Sequence, residues 1–206
     1  MLRAMPYLLG GLALVALLFG PMLYVRWVMA WHGKDRADIP GTGGQLARHL
    51  LDGAGLRHVL VEATDRGDHY DPDAAVVRLS EGNLNGRSIT ALAVAAHEVG
   101  HAFQHRDGSA LFALRLSLAK GLVTLDVAAI TRAPGLFFAQ AAAGIGLVGV
   151  SVLVQMVTLP LEWDASYRRA LPALQDGGIL EGRDLRRART VLRAAALTYV
   201  AASLFS

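Results

Sequence analysis

Hydrophobic and polar positions along this 206-residue chain fall into long blocks. Residues 4–25 carry no charge, and about 22 residues at about 1.5 Å each match a hydrocarbon core of roughly 30 Å. A cleaved signal peptide fits less well, because the apolar run is too long and no small-residue cleavage site follows before Arg26. From 31 to 108 the pattern turns polar. Residues 111–130 form an imperfect apolar span, interrupted by Arg115, Lys120 and Asp126, whereas 133–161 hold no charge at all. A basic stretch with Arg168, Arg169, Arg183, Arg186, Arg187 and Arg189 follows. The last apolar run, 194–206, is short for a span.

Inside the polar block the spacing predicts helix, strand, strand, helix. Thr42 with Gln45 three residues on has the form of a capping box, and Gly53 and Gly55 close the helix it opens. Residues 58–62 and 74–80 are short β-branched runs that read as strands, with a turn-rich stretch at 63–72 between them. Ser88 is the predicted N-cap of a helix running to about Gln104.

Composition sharpens this reading. Charged residues make up 18% of the chain, against about 25% in an ordinary soluble domain. With no cysteine, any metal must be held by histidine and carboxylate, which suits a catalytic zinc better than a structural one. The net charge of +3 does not point to nucleic acid, since the basic residues flank apolar segments and form no aromatic-interleaved patch. Nine basic residues lie between Arg26 and Arg106 and six between Arg168 and Arg189. This asymmetry puts the polar module on the cytoplasmic side of a bacterial inner membrane.

The chemistry centres on His97-Glu98-Val99-Gly100-His101. Four residues is slightly more than one helical turn, so both imidazoles project from one face toward a single ion, and Glu98 stands beside the open position as general base. The surrounding residues, Leu92 to Ala96 and Ala102 to Phe103, are uncharged, so unpaired histidines here would carry a desolvation cost.

Three candidates compete for the third ligand. His105 lies a further turn along, about 12 Å from the first histidine on a straight helix, and reads as a surface or supporting residue. Asp126, within an apolar segment, would imply an intramembrane protease. Glu162, where the chain leaves its strongest apolar run, is preferred.

The stretches DHYDP (68–72), VVRLSEGN (76–83), GRS (86–88), AVAAHEVGH (93–101), VTLPLEWDAS (157–166) and AAALTYVAA (194–202) together resemble the bacterial neutral zinc metallopeptidases, YugP-like membrane proteins. The resemblance implies a gluzincin with His97 and His101 as ligands, Glu98 as general base and Glu162 as third ligand to Zn2+. The fold it implies is an α-helical membrane protein with a small α+β zincin-like module between transmembrane helices. A first transmembrane helix would take residues 1–30 and the module 31–108. Further membrane helices would fill 109–206, with the third-ligand helix near 160–176. In one respect the chain departs from related membrane gluzincins of the HtpX type. They carry an aspartate four residues after the glutamate ligand, where this chain has Ser166 and offers Asp164 instead.

Further roles are expectations. Arg169, two turns beyond Glu162, is a candidate oxyanion stabiliser. The strand at 74–80 offers an edge for an extended peptide, and Tyr70 and Asp71 read as structural. The leading function is a membrane-anchored zinc endopeptidase acting on peptide or protein substrates at the lipid bilayer, as in membrane-protein quality control. The alternatives are an intramembrane protease using Asp126 and a non-catalytic membrane scaffold tied together by zinc.

Overall fold

The computed structural model describes residues 5–124 and 158–203. Helix α1 (Met5–His32) is followed by α2 (Gly43–Gly53), β1 (Leu60–Thr64), β2 (His69–Asp71), β3 (Val76–Ser80) and the short α3 (Glu81–Asn85). Then come α4 (Ile89–Arg106) and α5 (Ala110–Thr124). Beyond the gap, helical residues 158–163 run straight into a π-helical segment (Asp164–Ala170), α6 (Leu171–Asp176) and finally α7 (Gly182–Ser203).

Local chemistry sets these elements where the spacing predicts them. Thr42 Oγ1 accepts from the Gln45 amide at 3.2 Å while Gln45 Oε1 accepts from the Thr42 amide at 2.9 Å, so two orphan donors of α2 are satisfied reciprocally. Ser88 Oγ accepts from the Ala91 amide at 3.1 Å and starts α4. The sheet has three strands where two were expected, in the order β1-β3-β2, with β1 parallel and β2 antiparallel to β3. The added strand β2 lies in the stretch read as turn. Its polar residues fasten it as well as bend it. Asp71 caps the amides of Asp73 and Ala74, and Asp68 accepts from the Ser80 amide at 2.7 Å and from Asn83 Nδ2 at 2.8 Å. Strand β3 is therefore the middle strand, not an edge, and the edges belong to β1 and β2.

The fold expected from the apolar blocks needs correction. Among the described residues, no helix is long and apolar enough to cross a membrane. Helix α7 opens with Arg183, Asp184, Arg186, Arg187, Arg189 and Arg193. Some of the apolar residues are used for packing within the protein. Val25 and Val28 of α1 are buried, as are Ala188, Val191 and Leu192 of α7, and the two helices lie against each other. Where they are described, these apolar positions pack helix on helix in an α+β fold, and the multi-pass placement, with the cytoplasmic face read from it, has no span among the described residues to rest on. The run at 133–157 and Asp126 lie outside the described residues.

Helix α4 is the centre of the architecture. It packs against α2, α7, the sheet and the π-helical segment, and it is buried on all sides. Its alanines at 91, 93, 95, 96 and 102 are buried and let these neighbours come close.

Candidate active site

Helix α4 carries His97, Glu98 and His101 into this core, where they are 3%, 7% and 3% exposed. Glu162 arrives from the far side of the gap at 0% exposure. Its Oε2 lies 3.0 Å from His97 Nε2 and 3.3 Å from His101 Nε2. One ligand atom from each of the three residues falls within 4.8 Å of the others, a buried group able to hold a metal ion. The imidazoles meet edge to face with ring centroids 4.8 Å apart.

Two features of the backbone make this convergence possible. Gly100, inside the histidine motif, lets the two helices touch: a Cβ there would lie 2.8 Å from the Ala165 carbonyl oxygen, closer than atoms tolerate. The chain that approaches is the π-helical turn Asp164–Ala170, a form concentrated at functional sites. Glu162 and Ser166, on either side of where that turn begins, both reach His97.

The outer contacts of the histidines decide where their lone pairs lie. Gln104, fully buried, donates from Nε2 to the Leu161 carbonyl at 2.8 Å and to Asp164 Oδ2 at 2.9 Å. Its Oε1, 2.9 Å from His101 Nδ1, can therefore only accept, so His101 carries its proton on Nδ1. Ser166 Oγ donates to the Leu192 carbonyl at 3.3 Å and lies 3.0 Å from His97 Nδ1, which assigns the same tautomer to His97. Both neutral imidazoles then turn an unprotonated Nε2 toward a carboxylate. Three electron pairs facing one another in a buried space require a cation between them, either a proton or a metal ion. Among the described residues, His101 Nε2 and Glu162 Oε1 have no hydrogen-bond partner. The donor set, two nitrogens and one carboxylate, suits zinc and leaves room for a fourth ligand.

Electrostatics separate the two glutamates. Burial pushes the Glu98 carboxyl up to about 7; His97 opposes the rise, and the charges of Glu162 and Asp68 reinforce it. Burial acts the same way on Glu162, but when a proton occupies the space between them the attraction and hydrogen bonds of His101 and His97 outweigh it and hold its carboxyl below the usual range.

Residues 7–206 match the family described as "Putative neutral zinc metallopeptidase". The chain belongs to this metallopeptidase family. It is also 37% identical over 212 residues, 95% of this chain and 89% of the relative, to "Putative membrane protease YugP" of Bacillus subtilis (strain 168). No solved structure matches it. Zinc is the cofactor of the family, and the buried group formed by His97, His101 and Glu162 could hold such an ion in this chain.

The other residues singled out from the sequence fall into place around this group. The question of Ser166 or Asp164 has a double answer: Ser166 touches His97 directly, and Asp164 supports His101 through Gln104. His105 is exposed, 2.9 Å from the Tyr70 hydroxyl and stacked on Phe112, away from the other two histidines' ligand atoms. Arg169 does not face the site. It is held between Asp164 at 2.8 Å and Asp107 at 2.5 Å. Asp71 pairs with Arg78 at 2.5 Å and caps its turn, a structural role.

Sequence reasoning missed two residues. Gln104 sits three positions after His101, on the same helix face, and that spacing was the available signal. Arg115 was read as an interruption of an apolar span, yet its Nη1 lies 3.7 Å from Glu162 Oε1.

Proposed function

We infer that the chain is a zinc-dependent endopeptidase in which His97, His101 and Glu162 hold the metal and Glu98 is the general base. The observation that carries this reading is the pair of forced tautomers: hydrogen bonds donated by the two Nδ1–H groups to Gln104 and Ser166 aim both Nε2 lone pairs at a buried carboxylate. When bound, zinc supplies Lewis-acid polarisation and lowers the pKa of water toward about 7.

The chain's own residues do the rest. Glu98 accepts a proton from the attacking water as its oxygen bonds to the peptide carbonyl carbon, and delivers that proton to the leaving nitrogen as the C–N bond breaks. Burial raises the Glu98 carboxyl above its ordinary range, which favours its taking up and returning a proton.

Internal cleavage is favoured by two cavities that share Glu98. One, about 550 Å³, reaches His97 and is walled by Val25, Met29 and Val94. The other, about 260 Å³, reaches His101 and is walled by Tyr70 and Phe112. A chain that continues on both sides of the scissile bond has space on both sides of the base. His69 and Tyr70 bring the outer edge of β2 to the smaller cavity, so main-chain pairing along that edge supports loose sequence selectivity.

The relative's name as a membrane protease extends the proposal to unfolded or membrane-proximal segments, as in quality control. Exposed Trp27 and Trp31, stacked at 5.7 Å, suit a water–lipid boundary.

Fluorescein-labelled denatured casein tests the reading. Glu98→Gln should keep zinc and lose cleavage. Cleavage by Glu98→Gln at the wild-type rate would overturn the assignment of the base, and a zinc-loaded wild type that cleaves nothing would favour a zinc-tied scaffold.

A further inference from the structure

Attack on a peptide carbonyl leaves negative charge on its oxygen, and Glu98 can take a proton but cannot stabilise that charge. Arg169, the residue that spacing offers for the task, is committed to Asp164 and Asp107 and lines a different cavity. The Tyr70 hydroxyl is bonded to His105.

Arg115 stands elsewhere. It rises from α5 into the same 260 Å³ cavity as Glu98 and His101, flanked by Phe112 and Leu116, and its side chain is 24% exposed. It is the one arginine or lysine, among the described residues, that lines either cavity touching Glu98. Its guanidinium lies 3.7 Å from Glu162 Oε1, the carboxylate oxygen that His97 does not contact, so it borders the metal-holding group from within this cavity.

We propose that Arg115 is a catalytic residue that binds the oxygen of the scissile carbonyl and stabilises the charge it gains. This inference rests on the peptidase reading above. The guanidinium is charged at every working pH and carries five donors. In a cavity walled by Phe112 and Leu116, such donors are worth far more than in water. Arg115 transfers no proton. The water proton goes to Glu98, the π pair of the carbonyl moves to its oxygen, and that oxygen accepts hydrogen bonds from Arg115 until the C–N bond breaks. The pull of Glu162 on Arg115 weakens when that carboxylate shares its charge with a cation, so metal loading and readiness of the guanidinium are coupled.

The test uses the full zinc-loaded chain with Arg115→Ala and Arg115→Lys, a peptide from the casein digest and its phosphinic analogue, which is tetrahedral and anionic where the peptide is planar and neutral. Arg115→Ala should lower kcat by about 10²–10³, with KM within about threefold and zinc still at one per chain. Calorimetric affinity for the phosphinic peptide should fall by about the same factor as kcat/KM. Affinity for the parent peptide, read in a Glu98→Gln background, should stay within about twofold, and Arg115→Lys should recover part of both losses. Unchanged phosphinic affinity, or zinc loss in both Arg115 variants, would overturn the proposal and leave Arg115 as a support for Glu162. If Arg115→Ala stays fully active while Glu98→Gln is dead, only this proposal fails. If the wild type neither cleaves nor binds the phosphinic peptide, the peptidase reading falls with it.

Discussion

Gln104 Oε1 lies 2.9 Å from His101 Nδ1, and because both donors of the Gln104 amide are used by Leu161 and Asp164, that contact dictates which nitrogen of His101 is bare. A single buried amide thus ties the second histidine of the motif to the helix that brings Glu162. Losing it should weaken zinc binding without touching a ligand. Gln104→Leu is expected to lower zinc affinity by about 10–100-fold, read by competition with a chromophoric chelator. Affinity within twofold of wild type would mean the tautomer is set some other way.

Ser166 does the same for His97 with a weaker, neutral hydroxyl. Ser166→Ala should cost less zinc affinity than Gln104→Leu, because the hydroxyl's second bond, to the Leu192 carbonyl, is long at 3.3 Å, whereas Gln104 is held by bonds of 2.8 and 2.9 Å. The same chelator competition ranks the pair, and the reverse order would contradict this view of the support.

Gly100 sets the distance between α4 and the π-helical turn. On propensity alone Ala would stabilise a helix by roughly 0.5–1 kcal/mol over Gly, yet a Cβ here meets the Ala165 carbonyl at 2.8 Å. Overpacking of this kind costs about 1–3 kcal/mol. Gly100→Ala should therefore lower the melting temperature and the zinc content together. A variant that melts higher and keeps its zinc would show that the helices have slack.

Acid should act through Asp107. Hydrogen bonds from Arg106 and Arg169 hold its carboxyl down at about 2, against 3.8 unperturbed. A lowered folded-state value contributes stability that is fully present above about pH 4 and is lost as pH falls toward 2. Denaturant unfolding between pH 5 and 2 should show this loss, with a shallower decline in Asp107→Asn. The effect is modest, since the side chain is 39% exposed and screened by water. Identical pH slopes for the two proteins would remove Asp107 from the account.

Much of the site was legible because its signals are local. Spacing in 97–101, the cap at Ser88 and the capping box of Thr42 each depend on a few neighbouring residues, and each appears as read. Residues 58–62 and 74–80 likewise became β1 and β3 within two residues. The misreadings are long-range. An apolar block does not say whether it faces lipid or another helix, and Val25 and Val28 of α1 face α7 and the core. Strand β2 was hidden in Asp- and Gly-rich sequence because its pairing partner, β3, is what makes it a strand. Arg115 looked like a flaw in an apolar run, since only folding brings it to Glu162 across the intervening chain.

The convergence of two imidazoles and a distant carboxylate is tested most directly by zinc content, measured by mass spectrometry on wild type and on Glu162→Gln purified under the same conditions. One zinc per wild-type chain, falling to a small fraction in a Glu162→Gln protein that still shows wild-type helicity, is the predicted result. Equal zinc in the two proteins would contradict it, because the ion would then be held without the residue around which His97 and His101 are arranged.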